Sequence, residues 1–155
     1  MANPIARVFA QLLLERPAAR IGVDALAERL EASRGPLATV AEAAEDASGR
    51  KQLRHVIAIE RWGQNRLAVA LGDLAFERDE SRAYAPPEDE SLAQLVERFH
   101  AARAATVALA RRIADDGAGA TQVEHNSLGP LSARAWLRYL QVHADLEMKR
   151  VKRRR

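Results

Sequence analysis

The feature that most constrains this chain is the spacing of its apolar residues, which is helical almost throughout. Leu92, Val96, Phe99, Thr106 and Ile113 fall on one stripe, and Leu53, Val56, Ile57, Ile59, Trp62 and Leu67 gather on another. Strict alternation over the length of a strand is absent, so the pattern predicts helices and no sheet. Ala, Leu, Arg and Glu, all good helix formers, dominate, while β-branched and aromatic residues are sparse. With 155 residues, 48% of them hydrophobic and 29% charged, the chain has enough apolar material for one core and too much for disorder. No apolar run approaches the roughly 18 residues a membrane-spanning helix needs.

Breakers and caps divide the pattern. A first short helix is expected from Pro4 to Arg16, stopping before Pro17. A second carries Leu26, Leu30, Leu37 and Val40 from Val23 toward Asp46, with a kink or break at Gly35-Pro36. Ala47-Ser48-Gly49 reads as a turn with Ser48 as cap, opening a third helix from Gly49 to Gly72. A polar loop from Phe76 to Glu90 holds Pro86-Pro87, and acids around Ser91 mark the start of a fourth helix that stops at Asp115-Asp116-Gly117. Gly129-Pro130 opens the last helix, which runs to about Lys152. The expected fold is all-α: an antiparallel four-helix bundle with an extra short N-terminal helix, one domain over residues 1–155.

The formal charge of +3 misleads. Residues 149–155 hold six cations and no acid, and without them 18 basic residues face 21 acidic ones. A basic tail behind a mildly acidic body is weak support for a nucleic-acid partner and reads more simply as a solubilising helix end. The absence of cysteine excludes disulfides, thiolate ligands and cysteine nucleophiles. The apolar stretch Val8–Leu14 is interrupted by Gln11 and lacks both a basic leader and a cleavage site, so no signal peptide and a cytoplasmic location are expected.

Chemistry concentrates in the last helix. Trp136, Leu140, His143 and Glu147 share one stripe, which sets an imidazole and a carboxylate one turn apart. Both suit zinc, nickel or iron, and a carboxylate on a buried face is costly unless it is paired or ligates a cation. The plain alternative is a core histidine beside a glutamate that reaches solvent or meets an arginine. His55 stands in the third helix in a row with Ile59 and Trp62, and Arg103 on the fourth is a candidate counter-ion for Glu60 or Glu147. His125 lies in a loop before the last helix, placed to line a cleft mouth. Serine-nucleophile motifs, P-loops and dinucleotide fingerprints are absent.

Three segments carry a resemblance. RHVIAIERWGQNRL (Arg54 to Leu67), SLAQLVERFHAARAATVALARRI (Ser91 to Ile113) and EHNSLGPLSARAWLRYLQVHADLEMKRV (Glu124 to Val151) resemble, in order and spacing, the second, third and last helices of the DinB-like superfamily. The last segment includes that family's H-x-x-x-G loop, and Arg103 falls at its usual arginine. The resemblance implies a four-helix bundle holding a divalent metal, commonly nickel or zinc, on one histidine of the second helix and two of the last. Those positions map to His55, His143 and Glu147, the third departing from the usual histidine. A carboxylate there still ligates but alters the charge and metal preference of the site.

Members that keep three histidines include S-transferases using low-molecular-weight thiols such as bacillithiol or mycothiol. The resemblance therefore implies thiol transfer or hydrolysis, with Glu60 or His125 moving protons or orienting substrate, and frequent homodimers. The second reading is a non-catalytic dimeric bundle that has lost the metal and acts by protein interaction, its Glu147 salt-bridged to Arg103.

Overall fold

The structure, a computed structural model, describes residues 3–153. In chain order the elements are α1 (Pro4–Ala10), a π-helical turn (Gln11–Glu15), α2 (Arg16–Ile21), α3 (Val23–Ala32), α4 (Arg34–Glu42) and α5 (Ala47–Ala70). A 3-10 turn (Ser81–Tyr84), α6 (Leu92–Asp115), a second 3-10 turn (Ala118–Ala120), β1 (Gln122–His125), β2 (Gly129–Ser132) and α7 (Ala133–Arg153) follow. The chain is mostly helical, and among the described residues no helix is long and apolar enough to cross a membrane. The basic tail beyond Arg153 lies outside the described residues.

Local chemistry explains where the elements depart from expectation. The first helix does not stop at Pro17. The Arg16 N–H bonds to the Gln11 carbonyl five residues back, and this wide turn leaves Pro17 in the first turn of α2, where its missing donor costs nothing. The second helix breaks at Ser33 instead of at Gly35-Pro36, because Pro36 is accommodated in the first turn of α4. Asp46, not Ser48, caps α5: its carboxylate accepts the Gly49 N–H, so the helix begins at Ala47. Gly72, at φ 78°, closes α5 with the Gly72 N–H on the Val69 carbonyl and the Asp73 N–H on the Ala68 carbonyl, both at 3.0 Å. Ser91 and Gln94 form a reciprocal capping box at the start of α6.

The helices are not antiparallel throughout. Leu53, Val56 and Ile57 of α5 cluster with Leu95 and Phe99 of α6, Glu60 meets Arg103, and Asp73 just past α5 meets Arg112. These contacts advance together along both helices, so α5 and α6 run parallel. The segment 71–91 between them is long enough to carry the chain back along a helix of about 36 Å. By contrast, α7 runs antiparallel to α5, since Gly63 faces Leu140 while Gln52 faces Glu147. A layer of Ser33, Glu60, Gln64, Arg103 and Thr106 links α3, α5 and α6 between the two apolar clusters of the core.

A hairpin precedes the last helix where only a loop and a helix start were expected. β1 and β2 pair antiparallel, Val123 opposite Leu131 and His125 opposite Gly129. Gly129-Pro130 therefore lies in a strand, and α7 starts three residues later. Ser132 caps it, accepting the Ala135 N–H at 3.2 Å, while Glu15 accepts both the Ser132 N–H and hydroxyl at 2.7 and 2.8 Å. The Trp136 indole N–H donates to the Val123 carbonyl at 3.1 Å and pins the hairpin to α7. Four-residue strands are too short to register as alternation, and these are held by tertiary contacts.

Candidate functional site

α5 and α7 bring His55 and His143 together across 88 positions of sequence, with Nε2 to Nε2 at 3.2 Å and ring centroids 5.1 Å apart. Close approach of the two helices makes this possible. A Cβ on Gly63 would lie 2.5 Å from Leu140 Cδ2, so glycine is what lets α7 seat against α5 one turn away from His143. His55 is exposed and His143 half-buried. Burial, reinforced by His55, Arg150 and His125, pushes the His143 imidazole down to about 4, so it is neutral near pH 7. Two imidazole nitrogens this close fit two arrangements: one N–H donates to the other nitrogen, or both lone pairs face a shared cation.

Glu147 lies one turn beyond His143, as the spacing implies. Its Oε2 accepts from the Gln52 amide and, at 3.0 Å, from Arg150 Nη1. Among the described residues no group of three His, Asp or Glu side chains stands close enough together to hold an ion. The two histidines thus meet, while the carboxylate is engaged beside them. Metal-bound carboxylates are commonly hydrogen-bonded, so these bonds by themselves leave Glu147 able to ligate.

His125 is buried, and its role in the H-x-x-x-G sequence is plain from its contacts. Nδ1 accepts the backbone N–H groups of Ser127 and Leu128 at 3.1 and 3.2 Å, so the imidazole caps the hairpin turn while Gly129 takes φ 79°. Accepting at Nδ1 assigns the ring proton to Nε2, which has no hydrogen-bond partner among the described residues and whose ring lies among Trp62, Trp136 and Tyr139 at centroid separations of 5.1, 5.0 and 4.9 Å. Burial, then the nearby Arg66 charge, pushes this histidine down to about 4. Tyr139 stands 5.7 Å from the His143 ring and is itself pushed up to about 12 by burial and Glu147. A continuous row of rings therefore runs from His125 through Tyr139 to the histidine pair.

Glu60 is elsewhere. It follows His55 by five residues, about 140° around the helix, and is 1% exposed. Arg103 Nε lies 3.0 Å from its Oε1, and Nη2 donates to Oε2 at 3.1 Å. Burial outweighs Arg103 and raises the Glu60 carboxyl above its ordinary range. Arg103 is thus the counter-ion of Glu60 and not of Glu147, and the pair belongs to the core layer.

Sequence reasoning passed over two parts of the site. Asp79, in the polar loop, accepts from Trp62 Nε1 at 2.8 Å, Arg66 Nη2 at 2.6 Å and the Tyr84 hydroxyl, and so clamps the loop onto α5. Burial works against its ionisation, but the Tyr84, Trp62 and Arg66 bonds hold it below the usual carboxylate range. The clamp sets the 3-10 turn at Ser81–Tyr84 beside His55, where a cavity is lined by Lys51, Arg54, His55, Ser81 and Arg82. Lys51, Arg54 and His55 at i, i+3 and i+4 were a readable signal for one side of that cavity; the loop's contribution was not. Comparisons with protein-family models, curated proteins and solved structures give no match.

Proposed function

We propose that this chain is a DinB-like four-helix bundle acting as a divalent-metal-dependent enzyme of the thiol S-transferase or hydrolase type. The observation that carries the reading is the His55–His143 pair, two imidazole nitrogens 3.2 Å apart on different helices. Two nitrogens bound at about 2.05 Å to one tetrahedral ion stand about 3.3 Å apart, so the spacing suits nickel, zinc or iron. His55, His143 and Glu147 would hold the ion, with Gln52 and Arg150 orienting the carboxylate. A bound ion would lower the pKa of a water or low-molecular-weight thiol. His143 is neutral near pH 7, the form that ligates a cation, and the His125 Nε2–H is a hydrogen-bond donor in the ring row. Glu60 is engaged with Arg103, which leaves it a structural part.

The test is metal content by elemental mass spectrometry of untagged protein, beside a His55→Ala/His143→Ala variant. About one equivalent of nickel, zinc, iron or manganese that is lost in the variant is expected. No metal in either protein after reloading with those ions would end the reading.

A second reading has its own support. The engaged Glu147 and an exposed apolar stripe at Ile5, Val8, Phe9, Leu12 and Leu13 favour a bundle that acts as a homodimer without a metal. Its occupant would be a second copy of this chain, since an apolar stripe can pair with itself about a twofold axis.

A further inference from the structure

We infer that the cavity between α5 and the Ser81–Tyr84 turn is the binding site for an anionic group, a carboxylate or phosphate, on the small molecule handled at the His55–His143 pair. The inference rests on the reading of that pair as the reaction centre. Lys51, Arg54, His55 and Ala58 stand at i, i+3, i+4 and i+7 of α5, so one helical face supplies the floor. Ser81, Arg82 and Ala85 supply the opposite wall. Three cations and a hydroxyl thus converge beside the imidazole whose Nε2 meets His143, and among the described residues no carboxylate lines the cavity.

Cations without a carboxylate partner occur elsewhere on the surface as well, so what marks this set is its convergence on one cavity. Arg34, Arg66, Arg98, Arg103, Arg112 and Arg150 each have a carboxylate partner. Among the described residues Lys51 and Arg82 have none, and none of their side-chain nitrogens makes a hydrogen bond. Arg54 is fixed by two bonds to the Pro86 carbonyl, from Nε at 3.0 Å and Nη2 at 2.7 Å. Its Nη1 has only Glu88 at 3.6 Å, a side chain 91% exposed and therefore screened. One cation is preorganised and two are unpaired, which suits charge-assisted bonds to an oxyanion.

Size narrows the ligand. The cavity holds about 180 Å³, roughly six water volumes at about 30 Å³ each. That is room for a charged group and a short stem, and it is below the usual span for a whole drug-sized ligand. The rest of the substrate would extend along the histidine pair, so the cavity orients the molecule by its charged end and leaves the reacting atom at His55.

The test uses full-length metal-free protein, isotope-labelled, titrated at constant ionic strength with inorganic phosphate and, separately, with acetate. Saturable shifts confined to the Ser81–Ala85 amides and His55 are expected. Arg82→Ala and Lys51→Ala should each weaken binding about tenfold, while Arg98→Ala, away from the cavity, should leave it unchanged. Tighter phosphate binding assigns a phosphorylated substrate and tighter acetate binding a carboxylate. Absence of saturation with both anions, or equal weakening by Arg98→Ala, would overturn the inference. Anion binding in a protein that takes up no metal would sink the metalloenzyme reading and leave the cavity assignment standing. Metal uptake without anion binding would do the reverse.

Discussion

His125 shows how one residue joins folding to chemistry. Its Nδ1 closes the hairpin turn, so the residue is needed for structure, and its Nε2–H is left among aromatic rings without a partner among the described residues. Held at about 4 by burial, its folded pKa lies below the ordinary 6.5. The sign follows directly: the unfolded chain binds the proton more readily, so the stabilisation is complete above 6.5 and is lost as the pH falls toward 4. Unfolding in urea should therefore cost about 1–2 kcal/mol less near pH 5 than near pH 7 from this group, with His143 acting in the same direction. His125→Phe should show a visibly flatter dependence over that window. An unchanged slope would mean that the ring is not held neutral.

At the scale of elements, the seam between α5 and α7 decides whether the histidines meet. Gly63→Ala would gain about 1 kcal/mol of helix propensity. It would also force a methyl to within 2.5 Å of Leu140, which is fully buried and would have to shift within the core. Overpacking of this kind costs about 1–3 kcal/mol, so the variant should be less stable by denaturant midpoint despite the better helix former. It should also shift the ring resonances of His143, three residues from Leu140. A stabilised variant would show that the seam is looser than the packing implies. The hairpin and the 3-10 turn are positioned in the same way, by Trp136 on Val123 and by Asp79 on Trp62, Arg66 and Tyr84.

For the whole molecule the open question of assembly turns on the N-terminal stripe. Ile5, Val8, Phe9, Leu12 and Leu13 are each about half exposed or more and present on the order of 500 Å² of apolar surface, near the largest patch a monomer usually shows. Doubled across a twofold axis, this reaches the roughly 1,000 Å² a specific interface requires. The second reading therefore predicts a dimer by light scattering at micromolar concentration, converted to monomer by Leu12→Asp/Leu13→Asp with the helical signal retained. A wild-type monomer would remove the homodimer.

Much of the helical content was legible because apolar spacing, caps and breakers act within a turn or two of chain. The stripes on α5 and α6, the start of α6 just after Ser91, and the placing of His143 and Glu147 one turn apart all follow from residues near in sequence. The parallel course of α5 and α6, the hairpin ending at Ser132, and the choice of Glu60 over Glu147 as partner for Arg103 do not. Each depends on contacts across tens of residues, as does the meeting of His55 with His143. Periodicity says which face of a helix seeks cover; only packing and charge in three dimensions decide what covers it.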